Sequence, residues 1–136
     1  MGHILLIEGH QWLRHAINEL VTQRTALSID EARDPVEAVN HALHSPPTII
    51  ILDTTWPEIN GQCLSQMLRE VAPQSKIVLL VDDSWPDDAE VKAVTGADAW
   101  VNKSSITEAL PVLLTQWVAA AVESDSRPSP SEPVSV

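Results

Sequence analysis

The sequence predicts a three-layer α/β sandwich around a five-stranded parallel sheet, and three observations carry that reading. Four runs rich in Ile, Val and Leu are too short to be helices, segments with apolar residues at helical spacing lie between them, and the joins are short. The four runs, His3 to Ile7, Thr48 to Leu52, Lys76 to Val81 and Asp98 to Val101, have the composition of buried strands. A fifth, Leu27 to Ala32, alternates imperfectly, with Leu27, Ile29 and Ala32 apolar among Ser28, Asp30 and Glu31, and reads as a half-exposed edge strand.

The helices follow in order. Trp12, Leu13, Ala16, Ile17, Leu20 and Val21 fall on one face of the first. In the second, Asp34 can accept from the free amides of the next turn and Pro35 takes the first helical position. Val36, Val39, Ala42 and Leu43 form its apolar stripe, and Pro46-Pro47 ends it. Asn60-Gly61 opens the third, with Leu64, Met67, Leu68 and Val71 facing inward until Pro73. Pro86 and Asp87 open the fourth, which runs through Ala89, Val91 and Val94 to Gly96. Ser105-x-x-Glu108 has the form of a capping box before the fifth, which extends to about Val122. Pro111 inside it predicts a kink or a late start, because proline removes one hydrogen bond and crowds the carbonyl four residues back. Alternating strands and helices imply right-handed crossovers, and five of each suit the flavodoxin-like order 2-1-3-4-5.

With 136 residues the chain makes one domain, expected over 1–122. Residues 123–136 hold three prolines and no apolar periodicity, so they are expected to be a disordered tail or a linker. A formal charge of −11 leaves no footprint for gripping a phosphate backbone, so nucleic acid is not expected as this domain's own ligand. No apolar run approaches the roughly 18 residues of a membrane span and no basic, apolar leader opens the sequence, which predicts a cytoplasmic location. Cys63 is the only cysteine, so neither an internal disulfide nor a multi-cysteine metal site is expected.

An open parallel sheet binds its ligands outside the carboxyl ends of the strands, near the switch point between strands 1 and 3. Those ends carry Glu8-Gly9-His10, Asp53-Thr54-Thr55, Val81-Asp82-Asp83 and Asn102-Lys103. Two acids at adjacent strand ends facing a lysine could hold a hard cation and an anionic oxygen cluster, as phosphoryl chemistry requires. Asp53 alone could merely cap a turn, and Lys103 alone could be a solvated lysine, but their placement opposite each other favours an ion pair.

This constellation resembles the receiver domain of bacterial two-component response regulators over about residues 3 to 122. Leu52-Asp53 with Trp56-Pro57 and Asn60-Gly61 is similar to the phospho-acceptor segment, and Gly96 to Lys103 to the segment carrying the family's lysine. His10 and Arg14 after the first strand are similar to the LuxR-type regulators of transcription. The resemblance implies that Asp53 attacks a phosphohistidine on a partner kinase and that Lys103 pairs with the phosphoryl oxygens. It also implies an acid pair after strand 1 for Mg²⁺, a Ser or Thr at the end of strand 4 that senses phosphate, and a swinging aromatic in strand 5. Trp100 takes the aromatic position, but the acid pair is Glu8-Gly9 and the hydroxyl position is Val81.

The expectation is therefore an atypical receiver, a signalling and protein-interaction module rather than an enzyme, acting on transcription through an output domain or partner. Mg²⁺ is expected to bind weakly through Glu8, Asp53 and Thr55, with Glu8 reaching inward or Asp82 adding a carboxylate, and Val81 and Trp100 form a switch with poor coupling to phosphate. The alternative is a working receiver phosphorylated on Asp53 by a histidine kinase. An aspartate-nucleophile phosphatase would want a second aspartate two positions on, where Thr55 stands. A homodimer is expected through the helix 4, strand 5, helix 5 face or through helices 1 and 5, because Leu110, Val112, Leu113, Leu114, Trp117, Val118, Ala120, Ala121 and Val122 are wider than one core-facing stripe. Trp12 and Trp117 fit core positions. Trp56 and Trp85 sit at the carboxyl edge, as lids, partner contacts or local packing. The pairs His41/His44 and His10/His15 show no further ligands in the sequence and read as solvated, and Asp82, Asp83, Asp87, Asp88 and Glu90 read as a solvated face with charge at the start of helix 4.

Overall fold

The computed structural model describes residues 2–55, 60–83, 85 and 93–126, with side chains as far as residue 119. Five parallel strands, β1 (His3–Ile7), β2 (Ser28–Ala32), β3 (Ile49–Asp53), β4 (Lys76–Val81) and β5 (Ala99–Asn102), form one sheet in the order β2-β1-β3-β4-β5. The connections include α1 (Gln11–Arg24), α2 (Pro35–His44) and α3 (Gly61–Val71), while residues 93–95 are helical and are labelled α4. A short 3₁₀ turn, Lys103–Ser105, leads into α5 (Ile106–Ser126). The start expected for the fourth helix, residues 86–92, lies outside the described residues.

Alternation along the strands divides the core into two layers. Leu5, Ile7, Ile50, Leu52, Ile77, Leu79 and Val81 point to one face and pack with Ala38 and Ala42 of α2 and Leu64 and Leu68 of α3. Ile4, Leu6, Ile49, Ile51, Val78 and Leu80 point to the other, against Leu13, Ile17 and Val21 of α1 and Leu110 and Leu114 of α5. Burial on both faces explains the near-continuous apolar composition of β1, β3 and β4, and the edge strand β2 is buried only at Ala32.

Several inward-facing assignments are corrected. Trp12 is 72% exposed and Val36 70%, and Leu43, Met67 and Val94 are exposed as well. On α2 the contact line runs instead through the alanines: small side chains let the helix lie close to the sheet, which turns the bulkier Val36 and Leu43 outward. Trp117 is partly buried against the α1/α5 layer. The helix α5 begins at Ile106 with Pro111 inside it, so no late start occurs, and it continues to Ser126, past the expected end at Val122. The 3₁₀ turn before it is capped by Asn102, whose Oδ1 accepts from the Ser104 amide. Residues 127–136 of the expected tail lie outside the described residues.

The punctuation at α2 and α3 is as expected. Asp34 Oδ1 accepts from the Glu37 amide at 2.8 Å with Pro35 in the first turn, and Asn60 Oδ1 accepts from the Cys63 amide at 3.1 Å. Gly61 is required by proximity, because a Cβ there would stand 2.9 Å from the Thr54 Cβ and 3.0 Å from its Cα. Gly96 has φ +71°, the left-handed conformation that closes a helix end. Arg69 ties these ends together. It donates to the carbonyls of Gly96, Pro73 and Ser75 and pairs with Asp98 at 2.6 Å, while Asp98 also accepts from the Ile77 amide.

Candidate functional site

The sheet register builds the site. Ile7 lies beside Leu52, and Asp53 beside Leu80, so the next residue of the β1 strand, Glu8, emerges next to Asp53 at the carboxyl edge. Both acids are fully buried. Lys103 follows β5, and its Nζ donates to Asp53 Oδ2 at 2.7 Å and also to Thr55 Oγ1. The other Asp53 oxygen, Oδ1, accepts from the Thr55 amide at 2.8 Å and from its hydroxyl at 2.7 Å. Lys103, Asp53 and Thr55 thus form a closed ring in which both Asp53 oxygens are engaged. The ion pair anticipated between Asp53 and Lys103 is present. Thr55, expected as a metal ligand, has its hydroxyl committed to the ring, and its amide turns back to Asp53 as well.

Glu8 is the second half of the site. Its Oε1 accepts from the His10 amide at 2.9 Å, while Oε2 is buried with no hydrogen-bond donor facing it among the described residues. Glu8, His10 and Asp53 each offer an atom within 4.8 Å of the others. Burial, followed by the hydrogen bond to Asp53, pushes the Glu8 carboxyl up to about 8 against the opposing effect of the His10 amide. Asp53 moves the other way. Burial alone would raise it, but hydrogen bonds from Glu8, Lys103 and Thr55 hold it below the usual carboxylate range. The two observations on Glu8 agree once its proton is placed. As a carboxylate it would point an orphaned oxygen at another anion, whereas as the neutral acid it has a hydrogen to give to Asp53.

These residues fit a divalent cation only in part. Glu8 Oε2 is buried beside Asp53 and would become a ligand once its proton leaves, so Glu8 and Asp53 are the pair that would hold Mg²⁺. Gly9 contributes no side-chain oxygen, and Asp82 and Asp83 are exposed, with Asp83 accepting from Asn102 at 2.8 Å. Asp82 does not join the cluster formed by Glu8, His10 and Asp53 among the described residues. Six-fold oxygen coordination would therefore draw mainly on water.

Val81 closes the other side. It is 8% exposed and packs in the α2/α3 layer, where Trp85 and Trp100 lie against the same cluster. The two indoles meet edge to face, with ring centroids 5.2 Å apart and planes at 71°. Trp85 is thus a core-packing residue. Its backbone amide donates to the Asp82 carbonyl at 3.1 Å, and its Nε1 is buried with no hydrogen-bond partner among the described residues. The Thr54 hydroxyl donates to the Leu80 carbonyl of β4 at 2.8 Å. Trp56 and Pro57 lie outside the described residues.

Comparison with known proteins assigns this arrangement. The profile of the response regulator receiver domain matches residues 4–115. The nitrate/nitrite response regulator protein NarL of Escherichia coli (strain K12) is 28% identical over 117 residues, covering 85% of this chain and 54% of NarL. The chain therefore spans about half the length of that relative. The chemotaxis protein CheY of Halobacterium salinarum is 22% identical over 116 residues, covering 82% of this chain and 96% of that protein. Among solved structures, the receiver domain of a LuxO-type repressor from Vibrio parahaemolyticus superposes with a TM-score of 0.77 at 18% identity, covering 91% of this chain and 95% of that one. A LuxR-family DNA-binding response regulator from Staphylococcus aureus superposes at 0.73 and 20% identity, covering 86% and 98%. Among the described residues no helix is long and apolar enough to cross a membrane.

Proposed function

Because the chain belongs to the response regulator receiver domain family, we propose that it acts as an atypical receiver, a signalling and protein-interaction module that does not use Mg²⁺-dependent phosphorylation as its switch. The observation that carries this reading is the packing around Val81. Where the receiver mechanism needs a hydroxyl to take hold of a phosphoryl oxygen, this chain presents two methyl groups sealed among apolar side chains, with Trp100 held against Trp85. A new phosphoryl group on Asp53 would find nothing on β4 to pull, and the aromatic would stay where it is. The acid pair supports the same reading, since the second carboxylate is missing at Gly9 and Glu8 carries a proton that a cation would have to displace. When bound, Mg²⁺ would neutralise charge on phosphoryl oxygens.

The second reading, a working phospho-acceptor, is favoured by the Asp53–Lys103 pair. In it an Asp53 oxygen attacks the phosphorus of a phosphohistidine on a histidine kinase, the P–N bond breaks as the P–O bond forms, and the imidazole takes up a proton. Lys103 then transfers from Asp53 to the phosphoryl oxygens. Incubation with Mg²⁺ and a small phosphodonor, followed by intact mass, is expected to give no stable adduct and no shift of the Trp85 and Trp100 indole resonances. A single adduct that Asp53→Asn abolishes would hand the case to the working receiver, and continuous turnover of the donor to an enzyme.

The partners of this reading are proteins, an output domain or a kinase, and a second copy of the chain. We place self-association on a face that includes α5, where Val112 is 58% exposed and Leu113, Trp117 and Val118 are only partly buried. Sedimentation equilibrium is expected to report a concentration-dependent dimer that Val112→Glu weakens, and a monomer at all concentrations would remove the idea.

A further inference from the structure

The fold assembles a group of ligand side chains that no two neighbouring residues of the sequence announce. His3 opens β1, Asp30 lies in β2 and His41 is on α2. In the sheet His3 is paired with Ser28 and Leu5 with Asp30, so His3 and Asp30 are diagonal neighbours on one face. That face is the one α2 covers with Ala38 and Ala42, and His41, next to Ala42, reaches down to it. His44, the partner suggested by spacing, is not involved, because its Nδ1 donates to the Asn40 carbonyl at 2.8 Å.

Three atoms converge there. His3 Nε2 lies 3.0 Å from His41 Nε2, and Asp30 Oδ2 lies 3.4 Å from His41 Nε2 and 3.8 Å from His3 Nε2. Hydrogen bonding accounts for this poorly. Only one of the two facing Nε2 atoms can carry the bridging proton, and the carboxylate stands beyond good hydrogen-bond distance of both rings. A single cation among them accounts for it well. Tetrahedral bonds of about 2.0–2.1 Å hold donor atoms roughly 3.3–3.4 Å apart, and the observed separations bracket that value. The rings already meet edge to face, with centroids 5.1 Å apart.

We propose that His3, Asp30 and His41 are the three protein ligands of a zinc(II)-type cation that fastens α2 to β1 and the edge strand β2. Two imidazoles and one carboxylate are the donor set of a borderline-soft metal, not of Mg²⁺ or Ca²⁺. The side chains of His3 and His41 are 16% and 26% exposed and that of Asp30 is 52%, which leaves the site open to a fourth ligand from solvent. The site is separate from the acid crevice: His3 and Glu8 stand five residues apart along one strand, roughly 16 Å.

The test uses the full chain without an affinity tag, freed of metal by a chelator and kept in excess Mg²⁺. Co²⁺ is expected to bind one per chain with the intense visible absorption of a tetrahedral complex, and Zn²⁺ to displace it. The imidazole resonances of His3 and His41 shift on Zn²⁺ binding while those of His10, His15 and His44 stay. Removing a ligand by His41→Ala should weaken binding by more than the roughly 10–100-fold that loss of an outer-shell partner costs. Asp30→Asn, at an exposed position that the fold tolerates, is expected to weaken it as well and keeps the test decisive if His41→Ala unfolds. The proposal is overturned if the wild-type chain binds no Co²⁺ or Zn²⁺ at millimolar concentration, if Asp30→Asn binds as wild type does, or if Glu8→Gln removes the binding and so places the ion at the acid crevice.

Discussion

Replacing Lys103 by Met is expected to lower the free energy of unfolding by about 3 kcal/mol at neutral pH, because it strands a buried carboxylate. Asp53 has no solvent exposure and Lys103 is its only cationic partner among the described residues, at 2.7 Å. A surface ion pair would be worth less than 1 kcal/mol, but here water cannot take the place of the ammonium. Asp53→Asn removes the charge instead of its partner and retains hydrogen bonding to Thr55, so it is expected to cost about 1–2 kcal/mol. The double variant should then cost clearly less than the two single changes added together, since the lysine has no carboxylate left to satisfy. Urea unfolding of the four proteins measures this cycle. A Lys103→Met chain within about 0.5 kcal/mol of wild type would mark the lysine as an ordinary surface residue and break the account.

The second large effect is a loss of stability between about pH 4.5 and 8 that belongs to Glu8. Its carboxyl titrates at about 8 in the folded chain against 4.5 when unfolded. Below pH 4.5 both states hold the proton, and between 4.5 and 8 only the folded state does, so stability falls as pH rises through that window, by a little over 1 kcal/mol per unit. Above 8 the loss is complete, on the order of a few kcal/mol. Asp53 has the opposite sign: its folded carboxyl lies below the usual range, and its contribution is present above pH 3.8 and disappears in acid. Glu8→Gln, a neutral side chain of the same length that still has hydrogens to donate to Asp53, should flatten the fall between pH 4.5 and 8. Comparing wild type and Glu8→Gln by chemical unfolding at pH 5, 7 and 9 isolates the effect from the histidines, and parallel profiles would refute it.

The layered architecture could be read from the chain because it follows from period and punctuation. Four Ile/Val/Leu runs separated by amphipathic segments leave few ways to bury both faces of a sheet, and local chemistry at Asp34-Pro35 and Asn60-Gly61 marks helix starts wherever the chain folds. Helix faces are less legible in the sequence. Apolar spacing names a stripe but not its centre, and α2 turned on Ala38 and Ala42 because closeness to the sheet favours small residues there over Val36 and Leu43.

By itself the sequence determined the parallel α/β sandwich, the edge at which its polar strand ends gather, and the opposition of Asp53 to Lys103, since strand order and strand length already place those side chains. Tertiary structure alone decided the rest. That Glu8 lies buried beside Asp53 with an oxygen no donor faces, that Thr55 closes a ring with Lys103, that Trp85 packs on Trp100, and that His3, Asp30 and His41 converge are all relations between residues far apart in the chain or turned by a loop. Protonation and ligand geometry depend on desolvation and on distances of a few tenths of an ångström, and a linear pattern carries neither.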